Sequence, residues 1–220
     1  MKKTFAVIGL DVFGKAICKE LASLGSQVIA FDKNEAELNK VSDFVLRGAA
    51  FDYTSETLLS EMGVKHVDHA IVAISGNIED SILVTLVLKE MGISDITVEV
   101  ESDYHDKIVR KLGVNDTVSP SEAIGKRLAR KLIMDSVIDF YTVDDEYGLY
   151  EVKVGHTFQD IELKDLNIRN KYDINIVIIK RNGKVIIPKA IDVLMHDDVI
   201  LVVGKHKAIS NFQNIISADV

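Results

Sequence analysis

The sequence predicts an α/β protein in which a doubly wound parallel sheet is followed by a small α+β domain. Three observations carry that reading. Short apolar runs alternate with helix-periodic stretches up to Met134. A glycine-bearing turn, Val7-Ile-Gly-Leu-Asp-Val-Phe-Gly14, joins the first apolar run to the first helix pattern. Past Met134 the pattern changes to strand-like runs with a strong hairpin signal. Alternation of the first kind makes right-handed crossovers between parallel strands. Such sheets bind ligands at the carboxyl ends of their strands, where the strand order reverses.

Taken in order, Phe5–Ile8 is a short apolar run of the kind shown by a strand buried on both faces. Lys15–Leu24 carries Ala16, Ile17, Leu21 and Leu24 at helical spacing, and Gly25 stops it. Gln27–Phe31 is a second strand ending at Asp32, and Asn34 caps a helix over Glu35–Val41. Phe44–Leu46 reads as the third strand, Ser55–Met62 as a short helix and His69–Ile74 as the fourth strand. Asn77–Met91 is a long amphipathic helix, Ile96–Val100 the fifth strand, Tyr104–Leu112 a helix, and Thr117–Val118 a short sixth strand. Ser121–Met134 is the last helix of this part.

Ser136–Tyr141 is then a short apolar stretch, and the acidic, polar segment Thr142–Gly148 marks the domain boundary. The domains are expected at 1–136 and 145–220. In the second, Leu149–Val154, Ile174–Ile179, Lys184–Ile187 and Val199–Val203 are strand-like, and Asn182-Gly183 is a two-residue hairpin turn. Lys205–Ile216 reads as a closing helix. A domain this small buries a modest fraction of its surface, so pairing with a second copy would help it.

The composition excludes several classes. The chain has 220 residues, 47% hydrophobic and 27% charged, ample for a core. A net charge of −8 argues against nucleic acid as a partner, because a duplex needs a basic face. The basic run Gly125–Lys131 reads as the solvated face of a helix. Cys18 is the single cysteine, which excludes an internal disulfide, suits a reducing cytoplasm, and sits among apolar positions as a buried thiol. The apolar run after Lys2 and Lys3 is too short for a signal-peptide core. No stretch approaches the length of a membrane span, so no direct membrane insertion is expected. The six histidines show no zinc spacing with cysteine, and neither an activated nucleophile nor an acid/base carboxylate pair stands out. These residues by themselves give no catalytic reading.

The turn itself has the context of an adenine-nucleotide site. Gly9 and Gly14 lie between a strand and a helix, and Asp32 ends the second strand where a carboxylate accepts ribose hydroxyls. Asp52 follows the third strand within reach of an adenine amine, or else is a turn residue. Ser75, Gly76 and Asn77 follow the fourth strand and line the same crevice, with Asn77 also a helix cap. Asp11 stands where the motif's middle glycine lets backbone approach phosphate. Two unit charges about 4 Å apart cost roughly 4 kcal/mol at an effective dielectric of about 20, several hundredfold in affinity. A bridging Mg²⁺ or Ca²⁺, protonation, or a side chain turned outward would relieve that cost.

The stretches FAVIGLDVFGKAICKEL, IAFDKNE, AIVAI, LVLKEMG, KLGVND and VSPSEAIGKRLA, followed by LNIRNKYDINIVIIKR and VIIPKAIDVLMHDDVILVVG, resemble the RCK (regulator of potassium conductance) gating-ring subunits of bacterial Ktr/Trk potassium transport systems. The resemblance runs over nearly the whole chain. It implies a Rossmann-like RCK N domain that senses ATP/ADP or NAD(H), and a dimerising RCK C domain that binds cyclic di-AMP in some members. It also implies an octameric ring beneath a membrane potassium channel subunit, hence a cytoplasmic location peripheral to the membrane.

At the turn, Gly9, Phe13 and Gly14 match the family's G-x-G-R-F-G, whereas Asp11 replaces a glycine and Val12 an arginine. Glu99 stands where a basic residue is common, and Pro120-Ser121 replaces Pro-Glu. Asp32, Asn34 and Asp52 match the ribose and adenine side. In the second domain, Ile168, Arg169, Asn175, Ile176, Val177 and Pro188 match positions that line the cyclic di-AMP pocket. Ile124–Met134 is the candidate helix for exchange or packing between copies, or else an ordinary sheet-covering helix. The rival readings are an NAD-dependent oxidoreductase and a stand-alone cyclic di-AMP receptor.

Overall fold

The computed structural model describes residues 2–133 and 136–216, and it divides into two compact units, Met1–Ala123 and Ile124–Val220. In the first unit the strands are β1 (Thr4–Ile8), β2 (Gln27–Asp32), β3 (Arg47–Ala50), β4 (His69–Val72), β5 (Ile96–Glu99) and β6 (Asp116–Val118). They form one parallel sheet in the order β3-β2-β1-β4-β5-β6. The order reverses between β1 and β4, so a crevice opens at their carboxyl ends. The crossover helices are α1 (Val12–Ser23), α2 (Glu35–Asn39), α3 (Glu56–Glu61), α4 (Ile78–Glu90) and α5 (Asp103–Lys111), and α6 (Pro120–Ile133) follows.

The central strands read as unbroken apolar runs because both faces are covered. Ala6 and Ile8 join Phe31, Val72, Val98, Val84 and Leu88 in one core. Val7, Leu10, Val28, Ala30, Ile71 and Ala73 form the other, packed by Cys18 of α1. Burial pushes the Cys18 thiol up to about 12, so it is a core side chain and not a nucleophile.

The third strand is not Phe44–Leu46, as the sequence predicted. Ser42–Phe44 is a 3₁₀ turn, and β3 is Arg47–Ala50, pairing Arg47 with Ile29 and Ala50 with Asp32. The apolar run misled because Phe44 and Leu46 stay exposed, while the true edge strand, Arg-Gly-Ala-Ala, has no hydrophobic signal. Gly48 lies against Leu38 there, leaving little room for a larger residue.

The second unit holds β7 (Val137–Thr142), β8 (Tyr147–Lys153), β9 (Ile161–Glu162), β10 (Asn175–Arg181), β11 (Lys184–Ile186), β12 (Val193–Leu194) and β13 (Val199–Lys205). Its helices are α7 (Leu163–Leu166), α8 (Ile168–Tyr172) and α9 (His206–Ile216). The main sheet is antiparallel with order β11-β10-β13-β8-β7, and β12 pairs with β9. Asn182 and Gly183 both have positive φ, 50° and 75°, as a type I′ hairpin turn requires. Phe212, Ile209 and Ile216 of α9 pack on Tyr150, Val152, Ile200 and Val202.

Two features depart from the sequence expectation. Ser136–Tyr141 was not read as a strand, yet β7 occupies Val137–Thr142. The segment 142–148 therefore holds the end of β7, a turn over 143–146 and the start of β8, and the division into units falls after Ala123. Met134, the expected end of the last helix, lies outside the described residues. Within the unit, Asp198 is buried and takes a bidentate grip from Arg181, at 2.7 and 2.6 Å, while also accepting from the Met195 amide at 2.9 Å. Arg181 donates further to the Val193 carbonyl, so one ion pair ties β10, β12 and the start of β13.

Candidate functional site

The first crevice is built by close approach. Gly9 has φ +93°, and a Cβ there would run into the Ala73 carbonyl. A Cβ on Gly14 would run into the Gly9 carbonyl. Only glycine lets the start of α1 sit this close to the ends of β1 and β4, which is the backbone geometry of a dinucleotide turn.

Asp11 resolves the oddity of an acid in that turn. It is the N-cap of α1, which begins at Val12, three residues before the apolar periodicity. Asp11 Oδ1 accepts from the amides of Phe13 at 2.9 Å and Gly14 at 3.0 Å, and Oδ2 accepts from Ser75 Oγ. These orphan amides at a helix start are the groups that would hold a phosphate. Here the chain supplies its own anion to them. Val12, in the position of the family's arginine, is 83% exposed and brings no charge.

Asp32 joins the ends of two strands: Oδ2 accepts from the Leu10 amide at 2.6 Å and Oδ1 from the Asn34 amide at 2.8 Å. Each oxygen retains a lone pair for a ribose hydroxyl. Asn34 caps α2 through the Ala36 amide at 2.9 Å, and Asn77 caps α4 through the Asp80 amide at 3.1 Å. Asp52 Oδ1 accepts from Thr54 Oγ1 at 2.8 Å and faces Lys33 Nζ at 3.3 Å; the Thr54 bonds first, then Lys33, hold its carboxyl below the ordinary range. The sequence reading missed Lys33. Its ammonium binds Asp80 at 2.7 Å, which raises its pKa, and lies 4.9 Å from the Tyr53 ring centre.

Two acids complete the turn. Glu101, also missed, accepts from the Gly76 amide through Oε1. Glu99, at the end of β5, is only 7% exposed, and its Oε2 has no hydrogen-bond partner among the described residues. Burial first, then the charges of Asp11 and Glu101, push the Glu99 carboxyl up to about 7. The alternation Val-Glu-Val-Glu at 98–101 was the available signal, since a buried strand end rarely carries two acids. Asp11, Ser75, Gly76, Glu99 and Glu101 thus converge where phosphates would lie. Among the described residues no group of three or more His, Cys, Asp or Glu is placed to hold a metal ion. Asp11 meets the backbone amides through Oδ1 and the Ser75 hydroxyl through Oδ2.

The second unit has a different pocket. A cavity of about 310 Å³ is lined by Ile168, Arg169, Asn175, Ile176 and Pro188, together with Leu163, Lys164, Asn167, Lys189 and Ala190. Five of the six positions expected from the sequence therefore share one cavity. Val177 does not line it; the residue lies at an irregularity of β10 between Ile176 and Ile178 and is 38% exposed. Arg169 is the second residue of the short helix α8, which Ile168 starts just after Asn167, whose left-handed φ of 48° ends α7. The cavity joins cations (Arg169, Lys164, Lys189), an amide (Asn175) and apolar walls, a chemistry suited to phosphate and a flat base.

The TrkA-N domain model matches residues 5–120 and the TrkA-C domain model residues 149–217. The chain is 41% identical over 214 residues to "Ktr system potassium uptake protein C" of Bacillus subtilis (strain 168), covering 97% of each chain. It is 34% identical to "Ktr system potassium uptake protein A" of the same organism, covering 96% of each. Among solved structures, the GsuK RCK domain superposes with a TM-score of 0.66 at 16% identity, over 98% of this chain and 48% of that one. The GsuK channel bound to NAD gives 0.63 at 15% identity, over 99% and 40%. At such identity the structures speak for the fold.

Proposed function

The chain belongs to the Ktr/Trk family of potassium-uptake proteins, which join a TrkA-N to a TrkA-C domain, and from that premise we propose that it is the cytoplasmic regulatory subunit of a membrane potassium transporter, not an enzyme. The observation that carries the proposal is the match of both domains, in order, across nearly the whole of a 41% identical potassium-uptake protein. No helix among the described residues is long and apolar enough to cross a membrane. The chain assembles with copies of itself as a ring, for which an octamer is the family's arrangement. Unpartnered apolar faces support this: Ile124, Leu128 and Leu132 recur at four-residue spacing on α6 and are 60%, 53% and 72% exposed within their unit.

Two ligand sites set the ring's shape. The first crevice takes an adenine nucleotide, ATP/ADP or NAD(H), on the shape of its turn and on Asp32, and the NAD held by GsuK supports that class. Asp11 makes binding weak when phosphates press on the turn. The second cavity takes cyclic di-AMP through Arg169, Asn175 and its apolar walls, each copy offering the same patch. A ligand regulates only by favouring one ring shape over another.

Calorimetry of the purified chain with ADP, ATP, NADH and cyclic di-AMP, followed by K⁺ uptake into vesicles holding its membrane partner, tests this. Ligand-dependent change in uptake is expected. Uptake indifferent to the chain under every ligand condition overturns the regulatory reading, and hydride transfer from NADH to a carbonyl revives the oxidoreductase.

A further inference from the structure

Glu99 is a buried acid that no structural role explains. It sits at the last position of β5, 93% buried, with Oε2 unpartnered among the described residues. A buried polar atom without a partner is costly, and an ionised one far more so. The groups around it give no relief. From α1, Asp11 acts on it with negative charge, and so does Glu101 two residues along its own chain. On the neighbouring strands, β6 sets Val118 opposite it and β4 ends at Val72, neither titratable. From α5, His105 takes the Glu101 amide on Nδ1 at 3.4 Å, and burial depresses its pKa, so it brings no cation. A neutral acid fits that position, and a carboxylate does not.

The position matters because Asp11 caps the amides of Phe13 and Gly14. A phosphate arriving at the turn competes with the Asp11 carboxylate for those amides, in the field of whatever charge Glu99 and Glu101 carry. We infer that nucleotide binding in the first crevice is coupled to a proton on Glu99, so that the crevice accepts phosphate with Glu99 neutral and rejects it with Glu99 ionised. The inference rests on the nucleotide reading above and assigns that site its regulation. Linkage makes the coupling reciprocal: nucleotide raises the affinity of Glu99 for its proton by the factor through which the proton raises nucleotide affinity. The sign follows from the upward displacement of the Glu99 carboxyl to about 7. Below that pH the free protein already holds the proton. Above it, binding must take one up, and affinity falls as pH rises.

ADP titrated into the full chain between about pH 6 and pH 8.5, in buffers of different ionisation heat, reads the coupling directly. The expected result is affinity flat below neutrality and falling by up to about tenfold per pH unit above it, with up to about one proton taken up per ADP. Glu99→Gln keeps the shape, abolishes the slope and holds the low-pH affinity throughout. Glu101→Gln removes one of the charges acting on Glu99, so its midpoint moves to lower pH, a readout that survives if the first variant fails to fold. Wild-type affinity that ignores pH, or a slope unchanged in Glu99→Gln, overturns the inference while leaving the nucleotide site standing. Absence of ADP binding in every protein at every pH overturns the nucleotide reading and the coupling with it.

Discussion

The two candidate pockets differ in what occupies their anion-binding groups. In the first unit, the helix start that would hold phosphate already holds Asp11, with Glu99 and Glu101 behind it. In the second, Arg169, Lys164 and Lys189 line a cavity with no acid among its lining residues. Backbone shape is therefore a poor guide to ligand charge. Gly9 and Gly14 preserve the turn's geometry, and one side chain reverses its electrostatics. On the proposed reading, a multiply charged ligand would act mainly through the second pocket, and the first would bind its nucleotide weakly.

The comparison can be broken at its foundations. The largest effect is expected from Asp198→Asn, which sets the part-buried Arg181 guanidinium against a neutral amide at a buried position. Loss of charge-assisted hydrogen bonds at such a site costs up to about 3 kcal/mol, so chemical denaturation should show the second unit losing stability on that scale while the first unfolds as before. Equal loss in both units would mean that they do not fold independently. Next in size, Arg169→Ala should weaken cyclic di-AMP by roughly tenfold to a hundredfold, the worth of a charge-assisted hydrogen bond, with ADP affinity unchanged. An unaltered cyclic di-AMP isotherm removes Arg169 from the pocket.

Two smaller effects sharpen the first site. Glu99 is an acid whose folded pKa lies above its unfolded value of 4.5. The unfolded chain loses its proton first, so this residue's contribution to stability falls as pH rises from about 4.5 to about 7 and is level beyond. Thermal melts of wild type against Glu99→Gln across that window should converge at low pH and separate toward neutrality. Parallel curves would show that Glu99 ionises freely. Smallest of all, Asp11→Ala should cost about 1 kcal/mol through loss of the α1 cap. Asp11→Gly should cost less, because glycine tolerates the cap position, and should bind ATP more tightly than wild type. Weaker ATP binding in that variant contradicts the view of Asp11 as a resident competitor for phosphate.

Much of this was legible in the chain itself. Continuous apolar strands such as Phe5–Ile8 and Gln27–Phe31, spaced by helix-periodic segments, dictate a parallel sheet covered on both faces, because only burial on both sides accounts for unbroken hydrophobicity. The hairpin at Asn182-Gly183 was equally plain, since few other residues adopt two successive positive φ angles. Two edge strands, β3 and β7, escaped. Arg47–Ala50 carries no apolar stripe because an edge strand need not be buried, and the exposed Phe44 and Leu46 beside it imitated one.

What tertiary structure alone decided is electrostatic. Residue order places Asp11 in the turn, but only the fold shows its carboxylate turned onto the Phe13 and Gly14 amides. Residue order likewise gives Glu99, yet the charge of Asp11 acts on it only through the fold that brings the two together. Apolar patterning is a local property that the order of residues carries. The charge felt at a point sums over groups distant in sequence, and the dielectric there depends on what is packed around it.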